Sequence, residues 1–383
     1  MGAEAEIEDK KWRYTWESQS HTPILRLFLF PFSKTLNLSL QHHNLTVHLH
    51  SPPTFLTLTS SSSSLSLRVP IPTVLLDAEL PPTVRSFTDH IEVKLLLLLP
   101  VDHPALFALH QTSPLPQPLL IEYDVDKLSS AGEVEFVCRS CRYHLTNKPI
   151  RNFVEMPSAN WREVADNWFG ACCCSFGGIS EKLVTRSSNL SKNIDWHEFT
   201  CPQCATLLGA YPCCEGCAPV DGGVRLFKCY ISTCLPVLGS GDIFSNYTMD
   251  KMFANRLAEC ANDESTFRFV VRDLKTKSPV LQIILLNLDT WSCSGYCFGA
   301  EDKDPDPKLQ LRPVIKVLFS DSEAATESQL RVIEEWAAKN SAEDIFMLTN
   351  QIQDVVNSLM SAKDIYPPSC ASLPGLTLSY MQR

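Results

Sequence analysis

The sequence lacks the features that direct a chain into a membrane or onto a nucleic acid. Its longest purely apolar run covers residues 95–99, whereas a helix needs about 20 predominantly apolar residues to cross a bilayer. Lysines and arginines number 33 against 43 aspartates and glutamates, so the net charge is −10, and the chain contains no run of basic residues. Because anionic partners are bound through basic patches, we expect neither membrane association nor direct contact with nucleic acid.

Short motifs of several large enzyme classes are also missing. With 14 glycines in 383 residues, the chain contains no glycine-rich phosphate-binding loop and no dinucleotide-binding fingerprint. Neither HExxH nor GxSxG occurs, which excludes zinc proteases of the first pattern and α/β-hydrolases of the second. The spacing of serine, histidine and aspartate reveals no catalytic triad.

The chain begins without the pattern of a secretory signal. Residues 1–10 are acidic and polar, where a signal peptide has a basic start followed by an apolar stretch. We therefore expect an intracellular protein that is cytoplasmic and also nuclear. Because thiols stay reduced in those compartments, the 16 cysteines indicate metal binding or catalysis before disulfides.

The segment 21–132 has the hydrophobic pattern of a β-rich domain. Apolar and polar residues alternate with the period of two that is typical of half-buried strands. The alternating stretches are residues 36–40, 45–49, 56–58, 65–69 and 91–95. Prolines separate them into short strands, and an antiparallel β-sandwich or an open barrel buries such strands best.

The rest of the chain divides into a disordered N-terminus at 1–20, a Cys-rich zinc-binding region at 133–220 and a mixed α+β domain at 221–383. In the last domain the patterns predict strands at 224–231, 266–271, 280–288 and 313–319, and helices at 249–260, 326–339 and 342–360. The expected fold class is α+β and β-rich, with a zinc knuckle embedded between the N-terminal β-domain and the mixed C-terminal part.

Two CxxC pairs carry the clearest chemical signal. Cys138 pairs with Cys141, and Cys201 pairs with Cys204. Four such thiolates can surround one zinc ion as a tetrahedron, each about 2.3 Å from the metal, and they leave no open coordination position. Residues 142–200 separate the pairs, which is longer than the roughly 15–20 residues of a compact zinc ribbon. The sequence therefore predicts a structural zinc site with an insertion between its two halves; four buried core thiols are the alternative.

A cysteine triple lies inside this insertion. Cys172, Cys173 and Cys174 follow a helix predicted over residues 158–168, which places Trp161 and Trp168 on one face. We expect the triple on a loop, where it could offer a reactive thiolate or a metal ligand. The neighbouring residues supply no cation that would lower a thiol pKa, so a purely structural loop stays an equal alternative.

A second zinc site is a further open interpretation. Cys213, Cys214 and Cys217 follow the second CxxC pair closely, and Cys214 with Cys217 could bind another ion. A cross-braced RING-like pair of zinc sites is disfavoured, because the distance from Cys174 to His197 in the sequence is too long for that pattern.

Taken in order, these motifs resemble the HECT-like ubiquitin ligase family, whose members bind a ubiquitin-conjugating enzyme. The resemblance rests on CRSC at 138–141, PSANW at 157–161 continuing to the triple, CPQC at 201–204 with LLG at 207–209, STFRF at 265–269, and SLP at 372–374 with SYM at 379–381. It covers about residues 138–381 and implies partners of three kinds: a conjugating enzyme, ubiquitin, and protein substrates.

The resemblance also implies how a cysteine would act. A ligase cysteine accepts ubiquitin as a thioester and passes it to a substrate lysine, and the family's most characteristic stretch favours Cys173, with Cys172 and Cys174 beside it. An alternative is a non-catalytic, zinc-stabilised factor that inserts the same loop into the metal site of a metallo-β-lactamase-type nuclease of RNA 3′-end processing. Trp161, Trp168 and Cys173 would contact the partner in that case.

Overall fold

The protein was studied as a computed structural model. The structure describes residues 12–31, 45–50, 54–61, 65–109, 116–119, 124–153, 173–176, 195–213, 224–234, 241–298, 309–321, 335, 342–373 and 375–383. The chain forms two compact units. The first comprises Met1–Pro118, Ile284–Ser320 and Leu359–Arg383, and the second comprises Leu119–Ile283 and Asp321–Ser358.

Strands dominate the secondary structure. They are β1 (Trp12–Gln19), β2 (Ile24–Pro31), β3 (Leu45–Leu49), β4 (Phe55–Ser60), β5 (Ser66–Pro70), β6 (Thr83–Ser86), β7 (Ile91–Leu96), β8 (Glu135–Cys138), β9 (Cys173–Phe176), β10 (Asp195–Thr200), β11 (Leu207–Cys213), β12 (Val224–Phe227), β13 (Ile231–Cys234), β14 (Arg268–Asp273), β15 (Pro279–Tyr296), β16 (Arg312–Asp321), β17 (Glu343–Met347), β18 (Ser372–Leu373) and β19 (Leu376–Gln382). The helices are α1 (Pro104–Leu109), α2 (Val125–Ser130), α3 (Met249–Glu264), α4 (Thr349–Ala362) and α5 (Pro368–Ala371), with a 3₁₀ turn at Lys363–Ile365.

The first unit is an antiparallel β-sandwich. Eight of the ten strands of the larger sheet have the order β18-β19-β16-β15-β1-β2-β7-β6, and the smaller sheet has the order β3-β4-β5. Both sheets contribute to one apolar core, in which Leu27 of β2 and Leu56 of β4 are fully buried. The β-rich prediction for the N-terminal segment is confirmed, and so is the local pattern. In β3, Thr46 and His48 are exposed while Leu45, Val47 and Leu49 are half-buried.

The second unit surrounds a separate core. Strands β10-β11-β12-β9 form one sheet and β13-β8 form another, and Phe136, Leu208 and Phe227 are buried between them. Helix α3 begins after Thr248, whose side chain accepts a hydrogen bond from the Lys251 N–H, as an N-cap residue does. Met252, Phe253 and Leu257 of this helix are all buried, and the predicted helix is confirmed.

Two predicted elements of the C-terminal part are wrong. The helix predicted over 342–360 is strand β17 followed by α4. Strand β17 pairs in parallel with β14, and its Ile345 and Met347 are buried, so tertiary pairing overrides the helical pattern. The strand predicted over 224–231 is two strands, β12 and β13, separated by a turn in which the Tyr230 N–H donates to the Phe227 carbonyl. The strand predicted at 36–40 and the helix predicted at 158–168 lie outside the described residues, and so does the helix predicted at 326–339 apart from residue 335.

Gly209 of β11 pairs with Leu226 of β12 and leaves no room there for a side chain. A Cβ atom added there would lie 2.0 Å from the Arg225 carbonyl oxygen, which belongs to the backbone of the paired strand. We expect Gly209→Ala to lower the free energy of unfolding by about 1–3 kcal/mol, because the strand pair must separate to make room. Urea unfolding measures the change. Gly241→Ala is the matched control, since its added Cβ meets no atom within 4 Å; equal losses in both variants would contradict the explanation.

Candidate metal centre

The two CxxC pairs fold into turns with the same backbone geometry. In the first, the Cys138 N–H donates to the Tyr143 carbonyl at 2.9 Å, and the Arg142 N–H donates back to the Cys138 carbonyl at 2.9 Å. In the second, the equivalent bonds join Cys201 N–H to Thr206 O at 2.8 Å and Ala205 N–H to Cys201 O at 2.8 Å. Each turn is a knuckle that presents both of its sulfurs to the same side.

Both knuckles place a non-glycine residue in the left-handed region. The φ angle is 63° at Arg142 and 59° at Ala205, the residue directly after the second cysteine of each pair. A side-chain-bearing residue adopts this conformation at a cost of order 1–3 kcal/mol, and it persists only where the surroundings hold it in place. The strain is consistent with a turn whose shape is set by a ligand bound to its sulfurs.

The four sulfurs converge as the sequence predicts. Cys138 Sγ lies 3.7 Å from Cys204 Sγ, and Cys141 Sγ lies 3.6 Å from Cys201 Sγ. All four sulfurs lie within 4.8 Å of one another. Zinc bonded to sulfur at about 2.3 Å would separate the sulfurs of a regular tetrahedron by about 3.8 Å, so the observed spacing fits one zinc-sized ion.

A disulfide does not explain this spacing. Bonded sulfurs are about 2.05 Å apart, and all four cysteines are free thiols in the structure. A donor set of four thiolates suits zinc or an iron–sulfur cluster rather than magnesium or calcium, which prefer oxygen. The residues therefore fit a closed, soft-metal site in which the ion would be structural, because no coordination position is left for a substrate.

The electrostatics of the site would make metal binding pH-dependent. The Thr206 hydroxyl and backbone N–H lower the pKa of Cys204 to about 6, while desolvation raises the pKa of Cys138. For Cys141, the backbone N–H of Tyr143 lowers the pKa, but desolvation and the neighbouring thiols outweigh that bond and raise it to about 12. A metal ion must therefore displace the protons of Cys138 and Cys141, so binding weakens as the pH falls.

The site forms part of the core of the second unit. Cys138 and Cys201 belong to the buried apolar cluster that includes Phe136, Leu207 and Phe227, whereas Cys204 is exposed. Strand β8 delivers Cys138, and the segment between β10 and β11 delivers Cys201 and Cys204. Loss of the ion would thus disturb the packing of the unit as well as a surface turn.

The structure only partly describes the residues predicted for catalysis and partner binding. Cys173 and Cys174 lie in strand β9, where their backbones pair with Phe227 and Leu226 of β12. The prediction that they sit on a loop is therefore wrong for these two residues; the sheet supplies pairing partners that a local reading could not reveal. Three further predicted residues lie outside the described part of the chain: Cys172, Trp161 and Trp168.

Other cysteines add no second metal cluster among the described residues. Cys213 is buried, and Cys214 and Cys217 fall in a stretch that the structure leaves undescribed. Cys293 and Cys297 are partly buried against the core of the first unit, and burial raises the pKa of Cys293 to about 12 and that of Cys297 further. Cys370 is exposed.

Sequence reasoning missed Arg139, the residue that follows Cys138 in the first knuckle. Its guanidinium donates to four backbone carbonyls of the segment after β12. The sequence feature that points to this role is the arginine between the two cysteines of a CxxC pair. A short polar residue is sufficient to form the turn at that position, so a long charged side chain indicates a further contact. Its partners lie about 90–110 residues further along the chain and could not be inferred from spacing.

Together, the fold and the site define a β-rich α+β protein in which four cysteines of one chain lie close enough to hold a metal ion. A family model described as HECT-like ubiquitin-conjugating enzyme (E2)-binding matches residues 34–177 and 175–376. The chain therefore belongs to the HECT-like E2-binding family, as the resemblance predicted. Neither the curated proteins nor the solved structures yield a match. Within the described residues, no helix is long and apolar enough to span a bilayer.

Proposed function

We propose that the protein is an E3 ubiquitin-protein ligase that binds a ubiquitin-conjugating enzyme and promotes transfer of ubiquitin to lysines of protein substrates. The observation that carries this proposal is the family match over residues 34–376, which includes both knuckles and the cysteine triple. The four-cysteine centre supports it indirectly, because a closed thiolate site can stabilise a binding surface while taking no part in the chemistry.

In the proposed reaction a cysteine thiol attacks the thioester carbonyl of the charged conjugating enzyme. The new bond joins the ligase sulfur to the ubiquitin carbonyl carbon, the bond to the conjugating enzyme's sulfur breaks, and the proton of the attacking thiol passes to the departing thiolate. A substrate lysine then attacks the second thioester in the same way. Cys173 is the first candidate for the attacking thiol, with Cys172 and Cys174 as its neighbours.

A thioester trap tests the proposal. The protein is mixed with a panel of conjugating enzymes charged with ubiquitin, and the products are separated without reductant. We expect a ubiquitin adduct that reductant removes and that Cys173→Ala abolishes, alone or combined with Cys172→Ala and Cys174→Ala. Cys370→Ala serves as the control, because it removes an exposed thiol elsewhere in the chain.

Two outcomes would contradict ligase activity. One is a failure of the wild-type protein to bind or discharge any charged conjugating enzyme. The other is the absence of an adduct together with a stable complex with a metallo-β-lactamase-type nuclease that the triple variant loses; this result would support the binding-factor alternative. The pairing of Cys173 and Cys174 within β9 does not favour that alternative, which requires a protruding loop.

A further inference from the structure

Arg139 connects the metal centre to a distant part of the second unit. Its Nη1 donates to the Tyr247 carbonyl at 2.6 Å, and its Nη2 lies within hydrogen-bonding distance of the carbonyls of Lys228 at 3.2 Å, Ile231 at 3.0 Å and Phe244 at 2.7 Å. One side chain inside the first knuckle thus donates to backbone carbonyls spread between Lys228 and Tyr247. A buried carbonyl without a donor is costly.

Two of these carbonyls belong to residues that form a buried charge cluster. Lys228 Nζ donates to Asp124 Oδ2 at 2.7 Å, and the Tyr247 hydroxyl donates to the same oxygen at 2.8 Å. The side chains of Lys228 and Asp124 are only 9 % and 3 % exposed, and the Lys228 ammonium also lies 4.8 Å from the centre of the Tyr247 ring. The cluster consists of Asp124, Lys228 and Tyr247.

The backbone of Arg139 reinforces the connection. Its N–H donates to the Tyr230 carbonyl at 3.0 Å, so main chain and side chain of this one residue both bind the segment that starts at Lys228. Arg139 lies directly between Cys138 and Ser140 in the knuckle, where its position depends on the conformation of the turn. The contacts therefore run without a break from the sulfurs, through Arg139, to the backbone of Lys228 and Tyr247.

We propose that Arg139 makes the buried charge cluster a conformational switch that responds to the metal centre. With the knuckle closed, Arg139 holds the backbones of Lys228 and Tyr247 so that both side chains meet Asp124. When the ion leaves, the strained turn at Arg142 relaxes, the guanidinium withdraws from its carbonyls, and the Lys228 ammonium moves into water. The inference concerns this chain's own fold and does not depend on the proposed ligase activity.

Amine labelling followed by mass spectrometry tests the switch. Lys228 should react with an acylating reagent far more slowly than Lys275, whose side chain is 57 % exposed. Chelation should raise the rate at Lys228 by about tenfold or more, because the region that buries this side chain opens when the ion leaves. Zinc-loaded Arg139→Ala should show the same rise without chelator. Arg139→Lys should behave like Arg139→Ala, because a single ammonium cannot reproduce the guanidinium's fixed set of donors.

The zinc content of each variant separates the possible results. Arg151→Ala, which removes an exposed arginine paired with Glu133, is the matched control and should leave Lys228 slow. If Arg139→Ala retains its zinc and Lys228 stays slow, Arg139 is not the connection. If Arg139→Ala loses its zinc, the guanidinium supports the metal site itself, and the proposed direction of the switch is wrong. If chelation unfolds the whole unit, the zinc-loaded Arg139→Ala variant decides the question alone.

Discussion

Removing one sulfur from the metal centre is expected to unfold the second compact unit. Cys201→Ala takes away a ligand that is also buried in the core. A structural zinc site contributes about 10–16 kcal/mol of apparent binding free energy at neutral pH, whereas a whole domain is stable by about 5–15 kcal/mol. The metal contribution is thus as large as the total stability, and a site with three cysteines would lose most of it.

Elemental analysis and circular dichroism measure this effect. Wild-type protein should contain one zinc per chain and should lose ordered structure when a strong chelator is added, and Cys201→Ala should resemble the chelated protein. Cys370→Ala is the control, because it deletes an exposed cysteine outside the centre. A metal-free preparation that keeps the wild-type spectrum and unfolding midpoint would show that the four sulfurs are packed thiols and that no ion supports the fold.

The second large effect is expected from Asp124. Its carboxylate is the hydrogen-bonded partner of the buried Lys228 ammonium, so Asp124→Ala leaves that charge without compensation. Removing one partner of a buried ion pair costs about 3–5 kcal/mol. We expect a loss of this size in the free energy of unfolding of the zinc-loaded protein, measured with urea.

An exposed ion pair and a double variant make the Asp124 experiment specific. Glu133→Ala breaks the pair with Arg151, whose side chain is 73 % exposed, and should cost at most about 1 kcal/mol. Combining Asp124→Leu with Lys228→Met removes both charges and should recover much of the stability, because apolar replacements of a buried pair are often neutral. If the double variant is less stable than Asp124→Ala, the ion pair contributes net stability to the unit and does more than cancel the cost of burying its two charges.

Local sequence patterns predicted much of the fold because they record which face of an element is buried. The alternation in β3 and the apolar stripe of α3 each specify one buried face, and both appear in the structure as expected. The two CxxC pairs could be interpreted in the same local way. A cysteine knuckle is a short turn whose geometry depends on neighbouring residues, so its existence follows from six residues of sequence.

The failures arise where a distant partner decides the conformation. Residues 343–347 have a helical pattern, but parallel pairing with β14 makes them a strand. Cys173 and Cys174 lie between Gly170 and Gly177, a spacing typical of a loop, yet pairing with β12 places them in β9. No local signal distinguishes these outcomes, because strand pairing is a property of two segments and the second is far away in the chain.

By itself, the sequence determined the β-rich class, the family and which four cysteines could hold a metal ion together, since composition, periodicity and motif spacing are written in contiguous residues. Only the tertiary structure decided that the sulfurs of Cys138 and Cys204 lie 3.7 Å apart and that Arg139 reaches Tyr247. Those distances depend on how strands from separate segments pack around one core. The packing is set by the free energy of the whole unit, which no single stretch of the chain contains.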